Sequence, residues 1–173
     1  MDTKDWTWTI ERVCPQCGVD AAGVGEQDIP RLLTAYASLW PDVMAGPRAR
    51  SRPDPDTWSP LEYAAHVRDV CRVFATRTDL MLGQAGPTFT NWDAEGAAVQ
   101  DDYAGQEPAA VAEDLSVAAA DWAGRLAGLS GGQWQRSGIR GDGKVFTVLT
   151  LARYGLHEMA HHLHDVGVDR LPQ

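Results

Sequence analysis

An all-α four-helix bundle is the architecture this sequence predicts, and three observations carry the prediction. Four stretches of helical length place apolar residues at three- and four-residue spacing. The breaks between them are rich in Gly, Pro, Asp and Asn. Strand-like patterning is confined to one short stretch near the C-terminal third, so each apolar stripe has to be covered by another helix. No repeat at a fixed period is found. The 173 residues read as a single domain, with a short irregular N-terminal extension over 1–28 and the bundle over 29–167.

The first helix is expected from Ile29 to Ala45, where Leu32, Leu33, Tyr36, Leu39, Trp40 and Val43 share a face. The second opens on Ser59 as N-cap, with Pro60 at the first helical position and Glu62 three residues after the cap, and runs to Leu82. A third follows Glu107-Pro108 and buries Val111, Leu115, Ala118, Ala119, Trp122 and Leu126 before ending near Leu129. The fourth spans Thr147 to Val166 and is stopped by Gly167. Between the third and fourth, Asp142-Gly143 offers a hairpin turn within Trp134 to Phe146. Asp93 to Tyr103 holds one further short helix.

Charge narrows the partners. With 15 Lys+Arg against 24 Asp+Glu the net charge is −9, which disfavours both a phosphate backbone and an anionic lipid surface. No apolar run has the length of a membrane span. The opening Met1-Asp2-Thr3-Lys4-Asp5-Trp6 places acidic residues where a secretory leader carries positive charge, and the three cysteines, Cys14, Cys17 and Cys71, form no disulfide framework. A cytoplasmic protein acting on a small molecule is the expectation.

Four of the five histidines fall between positions 157 and 164. At about 100° per residue, His157, His161 and His164 line one face of the fourth helix with Thr150, Arg153 and Tyr154, while His162 points away. His157 and His161 are at i, i+4, so their Cβ atoms are about 5–6 Å apart and the two imidazoles can converge on one cation. Neutral imidazole suits Zn, Ni, Fe or Cu. The one remaining histidine, His66, lies on the core face of the second helix with Tyr63, Val70 and Val73. Three imidazoles from two inward-facing helices leave a coordination position open, which is the catalytic arrangement. Asp69 and Asp165, each one turn from a ligand, are candidates for holding ligand N–H groups. A satisfied histidine tract near a helix C-terminus is the rival reading. His157-Glu158-Met159-Ala160-His161 also matches the H-E-x-x-H pattern of zinc peptidases. The extended metzincin form fails there, because His164 and Gly167 stand where it needs Gly and His.

Trp58-Ser59-Pro60-Leu61-Glu62-Tyr63-Ala64-Ala65-His66 resembles the second helix of the DinB/YfiT-like superfamily, and His157-x-x-x-His161-His162 resembles its last. The resemblance implies an up-down-down-up four-helix bundle, often dimeric, binding a divalent metal, commonly nickel or zinc, through His66, His157 and His161. Better-understood actinobacterial members are mycothiol-dependent isomerases and thiol S-transferases, and others are described as metal-dependent hydrolases. In the isomerase branch a Glu takes one ligand position on the last helix. Here His157 and His161 occupy both expected positions, and isomerisation is not carried over.

The functional expectation is a metal-dependent enzyme transferring a low-molecular-weight thiol, the metal lowering the thiol pKa. Arg153 is a candidate clamp for a carboxylate or phosphate. A hydrolase using water, with Glu158 or Asp69 as base, is the first alternative. A bundle that only binds metal is the second. Tyr63, Tyr154 and Trp92 are placed where they can wall the pocket. Val13-Cys14-Pro15-Gln16-Cys17-Gly18 is half a zinc knuckle, expected first as a structural turn, then as a second Zn site and last as a redox centre.

Overall fold

The computed structural model describes residues 6–168 and 170–172. The opening Met1–Asp5, read above for a leader, lies outside the described residues. Helices form at Ile29–Ala37 (α1), Trp40–Met44 (α2), Pro60–Gly83 (α3), Ala94–Gln100 (α4), Pro108–Ala127 (α5) and Val148–Asp165 (α6), with short strands at Thr88–Phe89 (β1), Ser137–Arg140 (β2) and Val145–Thr147 (β3). The bundle consists of α1 continued by α2, then α3, α5 and α6. Among the described residues no helix is long and apolar enough to cross a membrane.

The single first helix expected over 29–45 is two. Pro41 lacks an N–H and its ring collides with the carbonyl four residues back, that of Ala37, where α1 ends. The other boundaries follow their caps. Ser59 Oγ accepts from the Glu62 backbone N–H, and the Glu62 carboxylate accepts from Ser59 N and Oγ, closing the capping box of α3. Thr147 caps α6 through Thr150, and Gly167 ends it in the left-handed region at φ 87°. Asp93 caps α4.

Helix directions are set by side-chain pairs. Arg72 reaches Asp114 and, further along, Thr78 accepts from Trp122 Nε1 at 3.1 Å, so α3 and α5 run parallel. His66 meets His162 and Phe74 meets Tyr154, so α6 runs antiparallel to α3. Parallel neighbours need a long crossover. Residues 84–107, which carry β1 and α4, supply it. The expected hairpin is present as antiparallel β2 and β3. Strand β1, which the sequence did not signal, adds parallel to β2. Through Arg140 and Asp142 the hairpin borders a cavity beside α3 and α6.

α6 packs tightly against its neighbours at Gly155. A Cβ there would meet Trp122 Cζ3 at 2.8 Å and Phe74 Cδ2 at 2.9 Å. Gly155→Val should therefore destabilise the bundle by about 3 kcal/mol through overpacking, read as a lower urea midpoint at unchanged slope.

Candidate metal centre

Helix α6 carries two polar pairs at i, i+4, His157/His161 and Glu158/His162, one residue out of phase. One residue is about 100° of rotation, so the pairs meet different neighbours. All four side chains are buried. Glu158 and His162 face α3: Glu158 Oε2 is 3.7 Å from His66 Nε2 and 3.7 Å from His162 Nε2. His157 and His161 face the N-terminal extension, where Cys14 Sγ is 3.8 Å from His161 Nδ1. The donor atoms of His66, Glu158 and His162 lie within 4.8 Å of one another, and those of Cys14, Cys17, His157 and His161 do likewise.

The expected triad of His66, His157 and His161 is thus divided between two clusters, and His162, expected to point away, is 1% exposed and faces His66. The physical reason is that α6 is covered on nearly every side. Its polar stripe then does not mark one inward face, and only the neighbour packed against each pair decides what it meets.

Three further expectations change. Arg153 is engaged away from the cavity: its Nε and Nη2 donate to the Val24 carbonyl at 3.1 and 2.8 Å, tying the extension to α6. Asp69 holds no ligand N–H and is no free base. It accepts a bidentate pair from Arg68 at 2.9 Å each, the Tyr103 hydroxyl at 2.6 Å and Arg72 at 3.1 Å. Burial opposes its ionisation, but these partners hold its carboxyl below the usual range. Tyr63 does not wall the cavity. It stacks on His162 at 4.9 Å, buried behind it.

Asp165 does orient a ligand-type nitrogen, that of His162, whose Nδ1–H donates to Oδ2 at 2.9 Å and leaves Nε2 toward Glu158. Trp92 stacks on His66 with centroids 5.3 Å apart and planes at 5°. Above this cluster opens a cavity of about 450 Å³, with His66 and Glu158 in its floor and Trp92, Tyr154, Trp6 and Arg77 in its walls. Arg77 and Arg140, both on this cavity, escaped the sequence reading because neither is in a motif. Arg77 is buried, donates to the Thr90 carbonyl at 2.9 Å, and is pulled down to about 10 by burial and by Arg140. Arg140 is paired with Asp142. Asp93 and Glu95 add acidic groups to the lining.

Burial disfavours an ionised Glu158, yet His162 and His66 outweigh it and hold the carboxyl below its usual range. His162 is the converse: burial acts to strip its proton, while Asp165 and Glu158 keep it on. The Glu158 carboxylate thus holds positive charge in a buried place, where a bound metal ion would displace the proton from His162 Nε2. Glu158 Oε1, buried, has no hydrogen-bond partner. One carboxylate and two imidazoles are a donor set for zinc and its neighbours among divalent metals, so these residues fit such an ion.

The DinB superfamily model matches residues 26–166. The chain belongs to the DinB superfamily. Its bundle is similar to a solved structure described as YfiT from Bacillus subtilis, a probable metal-dependent hydrolase with an unusual four-helix bundle topology. The two share 16% identity, with a TM-score of 0.69 over 90% of this chain and 89% of that one. At that identity the likeness concerns the fold. No curated protein sequence matches the chain. The matched segment of this DinB chain contains His66, Glu158 and His162 but begins after Cys14 and Cys17.

Proposed function

We propose that this DinB protein is a metal-dependent enzyme that transfers a low-molecular-weight thiol to a small anionic electrophile, with the ion held by His66, Glu158 and His162. The observation that carries this is the three-donor cluster, two of whose members, His66 and Glu158, lie in the floor of an open cavity, since three protein donors leave a coordination position for a ligand. A divalent ion bound there supplies Lewis acidity, lowering the pKa of a coordinated thiol toward neutrality. The chain's own groups do the rest. Asp165 fixes the His162 tautomer, and Trp92 holds the His66 ring flat against one wall. Arg77, a buried cation at the cavity, suits a substrate carboxylate.

The His, Glu, His donor set supports the thiol reading. In the isomerase branch of the family that the sequence resembles, itself thiol-dependent, a Glu takes one ligand position on the last helix, and the pair facing α3 contains one. Isomerisation through a thiol adduct thereby joins S-transfer within the same proposal.

A hydrolase with water as nucleophile is the second reading, favoured by Asp93, Glu95 and Asp142 on the same cavity and by the description of YfiT. Metal-loaded protein assayed across a panel of carboxylate-bearing electrophiles, with and without thiol, separates them. Turnover that requires thiol supports the proposal. Turnover without thiol selects hydrolysis, and no turnover with any loaded metal rejects both.

A further inference from the structure

The sequence between Trp6 and Val24 gives no donor to the inner cluster, and the structure packs it on the face of α6 that carries His157 and His161. We propose that Cys14, Cys17, His157 and His161 bind a structural zinc ion, a second site that fastens the N-terminal extension to α6.

Two thiols and two imidazoles bring their donor atoms within 4.8 Å of one another, with Cys14, His157 and His161 buried and Cys17 half-buried. Tetrahedral zinc, with bonds of about 2.0–2.3 Å, sets its donors roughly 3.3–3.8 Å apart. The 3.8 Å between Cys14 Sγ and His161 Nδ1 already has that length. The backbone is shaped for the purpose. Gly18 N–H donates to the Cys14 carbonyl at 2.9 Å, and Cys14 N–H to the Val19 carbonyl at 3.0 Å. Gly18 sits at φ 73°, where a side chain is strained. This tight turn folds Cys17 back beside Cys14.

A second observation is independent of the cysteines. His157 is 0% exposed, and neither of its ring nitrogens has a hydrogen-bond partner. A neutral imidazole always carries one N–H donor and one acceptor, and burying both unpaired is costly. Ligation satisfies the acceptor nitrogen. The nearest carboxylate oxygen, Oε1 of Glu158, is 4.0 Å from Nδ1 and belongs to the inner cluster.

Four protein donors fill a tetrahedral zinc, so the site is closed to substrate and its role is structural. Thiolate with imidazole selects zinc over the harder cations. On binding, each thiol proton passes to solvent and two metal–sulfur bonds form, with no change of oxidation state. The bridge joins residues 147 positions apart, Cys14 and His161, and so restrains a long loop. What it places is Trp6, whose ring lies 5.5 Å from that of His157 and 4.4 Å from that of His161 while also lining the inner cavity.

The full-length protein, purified under reducing conditions, decides the matter by metal content and spectroscopy. One zinc equivalent should persist in His66→Ala and be lost in Cys14→Ser/Cys17→Ser. Should that double variant not fold, the intact wild type still answers. Cobalt substituted for the zinc should give an intense near-ultraviolet thiolate charge-transfer band, and X-ray absorption at the zinc edge should find two sulfur neighbours per outer zinc, averaging to one where the inner site also holds zinc. A zinc environment of nitrogen and oxygen alone, no thiolate band, or a Cys14–Cys17 disulfide in the reduced preparation would overturn the proposal. Each of these results is read without reference to turnover, so the second site stands or falls apart from the proposed activity.

Discussion

Glu158→Gln should remove the inner metal and lower metal-dependent turnover at least about a hundredfold, while the protein keeps one zinc per chain and folds. The cost of losing even an outer-shell partner of a metal is about 10–100-fold, and Glu158 is placed to bond the ion itself. Its carboxylate lies 3.7 Å from both facing imidazoles, and is the one anionic group in the cluster of His66, Glu158 and His162. Gln preserves volume but removes the charge facing His66 and His162, so the fold should persist with a lowered melting temperature. Elemental analysis beside an activity assay gives the comparison. Full activity in Glu158→Gln, with the inner metal still bound, would exclude this carboxylate as a ligand. His157→Gln should do the opposite, losing the outer zinc first.

Asp69→Ala should cost about 3–5 kcal/mol of stability, because it leaves the Arg68 guanidinium buried without its bidentate partner. The Tyr103 hydroxyl loses its acceptor as well. The dependence on pH has a definite sign. Asp69 has a depressed pKa in the folded protein. Its ionised form therefore stabilises the fold fully above the ordinary carboxylate value near pH 4 and loses that effect as pH falls through the lower folded-state value. Urea unfolding at pH 7 and at pH 3 should show the gap between wild type and Asp69→Ala narrowing in acid. A gap independent of pH would mean that the Arg68 pairing contributes nothing through charge.

The bundle was legible because its signals are local. Ser59-Pro60 with Glu62 starts α3, Thr147 starts α6 and Gly167 stops it, each through contacts within one turn. Pro41 announces the α1 break just as openly, although the apolar stripe from Leu32 to Val43 runs straight across it. Strand β1 is two residues long and exists through its pairing with β2, which no local pattern announces. The residue types of the metal centre were legible too, but their partition was not. Periodicity fixes which α6 residues share a face, namely 157 with 161 and 158 with 162. It does not fix which face meets His66, since both flanks of α6 are buried. One signal was present: two cysteines three apart need two further donors, and assigning them His157 and His161 leaves Glu158 and His162 for His66. Arg77 and Arg140 were invisible for another reason, because a cavity is built from loops and strands whose placement sequence spacing does not encode.

The two phases of α6 also bear on how the chain settles into a unique packing. A roll of the helix by about 100° would bring His157 and His161 to His66 and turn Glu158 and His162 elsewhere, giving an all-imidazole centre with a different net charge. Both orientations keep apolar residues buried, but the roll would carry a side chain into the space beside Trp122 and Phe74 that Gly155 leaves open. Gly155 sets the phase of α6, and Cys14 beside His161, with Arg153 holding the Val24 carbonyl, reinforces the same setting. The arm ahead of the bundle thus helps to fix which pair α6 turns toward the cavity, although it contributes no donor to the cluster of His66, Glu158 and His162.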